Sequence, residues 1–256
     1  MTARPTPLLE MRQIAKYFGG LTAVTGVDLQ LWPGEVLAIV GDNGAGKSTL
    51  IKVLTGVFEP DEGEIRLDGQ PVRIANRRDA HALGIDAVYQ NLGLVDALDA
   101  PGNVFLGNEL RRLILGIPFL DNARMAQEAA RVLRENVGIE LDNLEEPTIH
   151  LSGGQRQAVA IARAIYHKDL RILVMDEPTA ALGPEETRNT LALVRRLKAQ
   201  GMALIVISHN LDHVFAVADR VMVMRGGRCV GIRDTATSSK QDVLGLIVAA
   251  HAEAAA

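Results

Sequence analysis

The chain has 256 residues, 48% hydrophobic and 23% charged, with a formal net charge of -4. That length holds one large domain or a core with a subdomain inserted in it, and the composition is that of an ordinary globular protein. The negative balance gives no electrostatic reason to expect nucleic acid or an anionic membrane surface as the main partner.

The first forty residues read as strands. Leu29 to Trp32 and the apolar run Val36 to Val40 flank Pro33-Gly34, a turn pair. Glu64 to Leu67 and Pro71 to Ile74 flank Asp68-Gly69, a strong hairpin signal. Between these pairs Val36 to Val40 runs into a Gly-rich loop, and Ser48 to Leu54 continues as a helix. From Asn91 to about His150 the character changes. Asp121 to Val137 has the spacing of an amphipathic helix, with Met125, Ala129, Val132, Leu133 and Val137 on one side. Leu113 to Leu120 is apolar but contains Gly116 and Pro118, and reads as packed surface or loop. The expectation for this stretch is a mostly helical lobe inserted in the core. Beyond it, strand-like Arg171 to Met175 and Ala203 to Ile207 alternate with helical Pro184 to Gln200, which implies a parallel sheet. No internal repeat occurs, and the tail from Ser238 ends in alanines.

No apolar run approaches the roughly 20 residues that span a bilayer, and MTARPTPLLE lacks the apolar stretch of a secretory signal. The lone Cys229 cannot form an internal disulfide, which fits a reducing compartment. A soluble cytoplasmic protein is expected.

Chemistry concentrates in three segments. The first is Gly41, Asp42, Asn43, Gly44, Ala45, Gly46, Lys47, Ser48 and Thr49, which satisfies G-x-x-x-x-G-K-[ST] between a strand and a helix. Its glycines let backbone N–H groups turn toward phosphate oxygens, and the helix N-terminus adds favourable partial charge. Lys47 can reach β- and γ-phosphates, and the Ser48 hydroxyl can ligate Mg²⁺. The second segment is Ile172 to Glu177. Asp176 follows a hydrophobic strand, at the carboxyl end where ligands sit in open α/β sheets, and is the expected outer partner of Mg²⁺. Glu177 is next, placed to act on an attacking water as base or orienting carboxylate. The third is LSGGQ, Leu151 to Gln155, where Ser152 and Gln155 fit a capping box opening a helix through Ala160 and Ile165. A helix N-terminus with two glycines is also an anion site. Because the chain already has one phosphate loop, this second site is expected to serve a different nucleotide.

With the phosphate loop, LSGGQ and Ile172 to Glu177 following one another in that order along the chain, the sequence resembles the ATPase subunits of ATP-binding cassette transporters over nearly its whole length. The resemblance implies an α/β fold: a P-loop NTPase (RecA-like) core, residues 1–90 and 156–237, with an N-terminal antiparallel β subdomain. An α-helical subdomain, 91–155, would be inserted and end in the signature, and 238–256 would be a tail. It implies two cassettes dimerising head to tail with ATP and Mg²⁺ sandwiched between them. Ser152, Gly153, Gly154 and Gln155 of one copy would then touch the γ-phosphate held by Lys47 of the other. Gln90 would sense Mg²⁺ and the attacking water at the junction with the helical lobe, and His209 would be the switch histidine on the γ-phosphate. Phe18, just before Gly19-Gly20, would stack on adenine, with Tyr17 as the alternative. One position departs from the family: Gly183 stands where an aspartate usually ties the two cassettes together.

Within the family, GDNGAGKST, Val88 to Leu92 with Asn103 to Gly107, DEPTAALG at Asp176 to Gly183, and Ser208 to Phe215 are similar to the ATPases of ribose-, xylose- and fructose-type monosaccharide importers. The resemblance implies a homodimer on the cytoplasmic face of the inner membrane, bound to transmembrane permease subunits and served indirectly by a solute-binding protein, with no nucleic acid partner. The alternatives are a transporter ATPase for another solute, such as an amino-acid importer or an exporter, and a soluble ATP-driven switch. The sugar itself is not written in this chain.

Overall fold

The computed structural model describes residues 6–166, 169–180 and 182–248. In chain order the elements are β1 (Leu9–Phe18), β2 (Leu21–Leu31), β3 (Val36–Val40), α1 (Lys47–Leu54), β4 (Glu62–Leu67), β5 (Gln70–Val72), α2 (Arg77–Ala82), β6 (Ile85–Val88) and α3 (Ala100–Val104). Then come β7 (Arg111–Ile114), β8 (Ile117–Leu120), α4 (Asn122–Val132), α5 (Gly153–Ile165), β9 (Ile172–Asp176) and α6 (Pro184–Ala199). The last are β10 (Ala203–Ile207), α7 (Leu211–Val217), β11 (Arg220–Arg225), β12 (Arg228–Asp234) and α8 (Lys240–Val248). The 238–256 tail thus contains a helix, and its alanine-rich end lies outside the described residues.

A six-stranded sheet in the order β12-β11-β3-β10-β9-β6 forms the core. Its centre is parallel: β10 pairs with both β3 and β9, and β3 pairs with β11, while β12 returns antiparallel at the edge. Every residue of β3 and β10 is buried. Strands covered on both faces have no solvent side to alternate with, which is why they read in the sequence as unbroken apolar runs. Because these strands run in parallel, the segments following β3, β9 and β10 leave from the same edge of the sheet. Those segments carry the Gly-rich loop, Glu177 and His209.

The second sheet is antiparallel, in the order β2-β1-β4-β5, and matches the expected N-terminal β subdomain. The Asp68-Gly69 turn joins β4 to β5 with both residues at positive φ, 52° and 77°. Two successive left-handed residues are the mark of the type I′ hairpin turn that Asp-Gly favours. Pro33-Gly34 does something different, since it carries the chain from the antiparallel sheet (β2) into the parallel one (β3).

The chain divides into two compact units, one holding both large sheets and a second running from Val88 through α5 and again over Pro178–Leu193. In the second unit α4 buries Met125, Ala129 and Val132, and the turn after it buries Leu133 and Val137, which is the apolar face expected from the spacing. The helix is not uniform, however. Leu133–Val137 is a π turn closed by Gly138, whose N–H donates to the Leu133 carbonyl at 2.7 Å. Asn103 is fully buried and ties the unit together. Its Oδ1 accepts from the Val95 N–H at 2.8 Å, and its Nδ2 lies within hydrogen-bonding distance of the Val95, Leu98 and Asp99 carbonyls.

One expectation is corrected. Leu113 to Leu120 is neither packed surface nor loop but an antiparallel hairpin, β7 with β8, in which every strand residue is exposed. Its tip is Leu115-Gly116 at φ 51° and 80°. Both faces carry apolar side chains, so the period-two alternation that marks a strand was erased.

Candidate nucleotide site

The loop between β3 and α1 is shaped by glycines that no other residue could replace. Gly41 has φ 144°, and a Cβ there would stand 2.0 Å from the Met224 carbonyl oxygen. Gly46, at φ 95°, caps α1, and a Cβ would stand 2.6 Å from the Ala23 carbonyl oxygen. The backbone of β2 and β11 therefore presses the loop into one form. As the N-cap of α1 is a glycine, no side chain caps the amides of the first turn, which present partial positive charge at the helix start. Asp42, Asn43, Gly44 and Ser48 are exposed, while Ala45 and Lys47 are buried. A buried lysine needs acceptors: Nζ donates to the Gly41 carbonyl at 2.6 Å and the Asp42 carbonyl at 2.9 Å. Burial pulls the Lys47 pKa below its ordinary value, against the fields of Glu177, Asp176 and Asp42.

Asp176 closes β9, paired in register with Ile207 at the end of β10. Burial raises its pKa, repulsion from Glu177 raises it further, and Lys47 and Lys52 offset only part. Two adjacent carboxylates with incomplete neutralisation are a favourable place for a cation. Glu177 is held at φ 52°, a left-handed conformation uncommon outside glycine and asparagine and one that clusters at functional positions. Its N–H donates to the Ile207 carbonyl at 2.9 Å, which fixes the turn. Its carboxylate Oε2 lies 2.9 Å from His209 Nδ1, with the Glu177 side chain 16% exposed and the imidazole 74% exposed. The strand before His209 stops at Ile207, and the histidine stands on the loop that follows.

The structure therefore brings the phosphate loop, Asp176, Glu177 and His209 together in the first unit. Phe18, the last residue of β1, lies in that unit too. It is 41% exposed and packs edge-on against Phe58, with ring centroids 5.0 Å apart. The hydroxyl of Tyr17 donates instead to Glu62 at 3.1 Å. Gln90 belongs to the second unit, exposed and two residues past the end of β6.

The signature also lies in the second unit, and its capping box is formed. The Gln155 N–H donates to Ser152 Oγ at 3.3 Å, and the Ser152 N–H donates to Gln155 Oε1 at 2.9 Å. The box occupies the amides of Ser152 and Gln155 and leaves those of Gly153 and Gly154 without a side-chain cap. At this helix start, amides free of side chains are a ready anion contact. Among the described residues no cluster of three or more His, Cys, Asp or Glu could hold a metal by itself. A residue missed in the sequence is Glu186. Its carboxylate accepts the Gly183 N–H at 2.8 Å, and the three-residue spacing ahead of a helix was its available signal.

A phosphate loop after a buried parallel strand, with a carboxylate pair at the carboxyl end of another strand of the same sheet, defines a P-loop nucleotide hydrolase. A family model described as ABC transporter matches residues 24–180. The chain is 46% identical over 225 residues to the fructose import ATP-binding protein FrcA of Rhizobium meliloti, covering 87% of this chain and 86% of that protein. It is 41% identical to the xylose/arabinose import ATP-binding protein XylG of Sulfolobus acidocaldarius, covering 87% and 86%. The ribose import ATP-binding protein RbsA 1 of Rubrobacter xylanophilus is 45% identical over 94% of this chain, which spans 47% of that protein's length. Among solved structures, a nucleotide-free ATP-binding cassette from an ABC transporter superposes with TM-score 0.77 at 27% identity, covering 93% of this chain and 95% of that one. A dimeric cassette in a post-hydrolysis state bound to ADP and Pi gives 0.72 at 26%, covering 89% and 98%. The chain belongs to the ABC transporter family, as an ATPase cassette.

Proposed function

We propose that this chain is the ATP-hydrolysing subunit that powers import of a monosaccharide through a membrane permease. It works as a head-to-tail dimer with two ATPs sandwiched between the phosphate loop of one copy and LSGGQ of the other. The observation that carries the hydrolytic reading is Glu177, held in a left-handed turn 2.9 Å from His209 and within the field of Lys47. The sugar class is supported by the relatives named for fructose, ribose and xylose/arabinose import. The dimer is supported by the dimeric cassette of the same fold.

In this reading the amides of the loop and Lys47 hold the β- and γ-phosphates. Ser48 and Asp176, whose incompletely neutralised carboxylate suits a cation, would hold Mg²⁺, which would neutralise phosphate charge, and Gln90 would be its sensor. Glu177 orients the attacking water and takes its proton as the bond to the γ-phosphorus forms and the bond to the leaving ADP oxygen breaks. His209 holds the Glu177 carboxylate and reaches the γ-phosphate. Phe18 offers its exposed ring to adenine. Closure of the dimer on ATP turns the permease outward-open, and hydrolysis resets it. The chain sits peripherally on the cytoplasmic face of the membrane with the permease, and a solute-binding protein delivers the sugar; among the described residues no helix is long and apolar enough to cross a bilayer.

The Glu177→Gln variant tests the reading. It should bind ATP with unchanged affinity, lose hydrolysis by about a hundredfold or more, and run as a dimer on size exclusion only with ATP. Hydrolysis at the wild-type rate would show the assigned base to be wrong.

A further inference from the structure

Gly183 leaves the family's usual carboxylate missing from the segment that follows Glu177, yet a carboxylate stands in that place. Glu186 Oε2 accepts the Gly183 N–H at 2.8 Å and lies 3.2 Å from where a Cβ on residue 183 would be. The stem of the same side chain rests on the signature: Glu186 Cγ and Cβ are 3.1 and 3.3 Å from the Cβ that Gly154 lacks. The neighbouring Leu182 does likewise, its Cδ2 standing 3.3 Å from the missing Cβ of Gly153. Both signature glycines are thus seated under the 182–186 segment, and Glu186 reaches both Gly183 and Gly154. It also lines a cavity of about 150 Å³ shared with Ser152, Gly154 and Gln155.

We infer that Glu186 is a positioning residue that replaces the missing aspartate, fastening the segment after Glu177 to the signature loop of the same chain. In the head-to-tail dimer, on which this inference rests, that signature loop would read the partner's γ-phosphate. A change there is then passed through Glu186 to residue 183 and along the chain toward the hydrolytic carboxylate of its own site. The two sites communicate through this link, so its loss appears as lost cooperativity rather than lost nucleotide binding.

The geometry makes a reciprocal prediction about residue 183. Gly183 is not at positive φ, so an aspartate there meets no backbone penalty. Its Cβ would, however, crowd the Glu186 carboxylate at 3.2 Å and set two like charges together. Gly183→Asp alone should therefore impair the enzyme, while the same change should rescue a chain from which Glu186 has been removed.

The test is the ATP dependence of hydrolysis by the full chain and by Glu186→Ala, Gly183→Asp and the double variant, with folding followed by thermal melting and binding by a fluorescent ATP analogue. Glu186→Ala should lower the Hill coefficient from about 2 toward 1 and kcat by about tenfold, with analogue affinity unchanged. Gly183→Asp should also lower kcat, and the double variant should recover most of the Hill coefficient and rate. A wild-type Hill coefficient and kcat in Glu186→Ala, or a double variant no better than Glu186→Ala, would overturn the inference. If the unmodified chain hydrolysed no ATP, or hydrolysed it equally after Lys47→Ala, the ATPase reading itself would fall instead.

Discussion

Asp176 shows the tension between stability and function at a single position. Its pKa is raised, first by burial and then by Glu177, so the ionised form is disfavoured in the folded chain. A raised carboxyl pKa costs nothing below the ordinary aspartate range, where folded and unfolded chains both hold the proton. The cost grows as pH rises through the folded value and persists at neutral pH. Asp176→Asn removes that charge and should raise the melting temperature of the nucleotide-free chain at neutral pH, with the gain fading toward acid, while abolishing Mg²⁺-dependent hydrolysis. A lower melting temperature at pH 7 would contradict this origin of the shift. Glu177 is a second residue held against local preference, in a left-handed turn fixed by the Ile207 carbonyl. Neither strain was legible in the sequence, because burial and a φ angle are set by residues far along the chain.

At the scale of elements, legibility followed the strength of the local signal. The buried parallel strands, the phosphate loop and the Ser152 capping box carry their signals in adjacent residues, and each formed where the pattern placed it. The Asp121 to Val137 helix kept its apolar face but ended in a π turn, which shifts hydrogen bonding without moving that face. The hairpin β7–β8 was lost because its two faces are alike in polarity. Its tip places Leu115, 98% exposed, at φ 51° where asparagine is preferred. Leu115→Asn ahead of Gly116 should relieve about 1 kcal/mol of left-handed strain. Amide exchange across the hairpin should slow by roughly fivefold with the global melting temperature unchanged; unaltered exchange would show that the tip is not strained. Glu186 was missed for a different reason, since its partners Gly183 and Gly154 lie in separate segments and only the fold makes them neighbours.

Taken whole, the molecule divides between its two compact units what the proposed function treats as the two halves of a phosphate site. The loop, Lys47, Asp176, Glu177 and His209 belong to one compact unit, and LSGGQ belongs to the other. In the proposed dimer each half is completed by a second copy, which makes the working enzyme a pair with two composite sites. Mixing two disabled chains tests this most directly. Lys47→Ala disables the loop and leaves the signature; Ser152→Glu removes the capping hydroxyl and sets a negative charge at the start of α5, which disables the signature and leaves the loop. Neither chain alone should hydrolyse ATP. In a mixed dimer one site joins the intact loop to the intact signature, so an equal mixture should recover hydrolysis at about a quarter of the wild-type sites if pairing is random. A mixture as inactive as its parts would contradict the account.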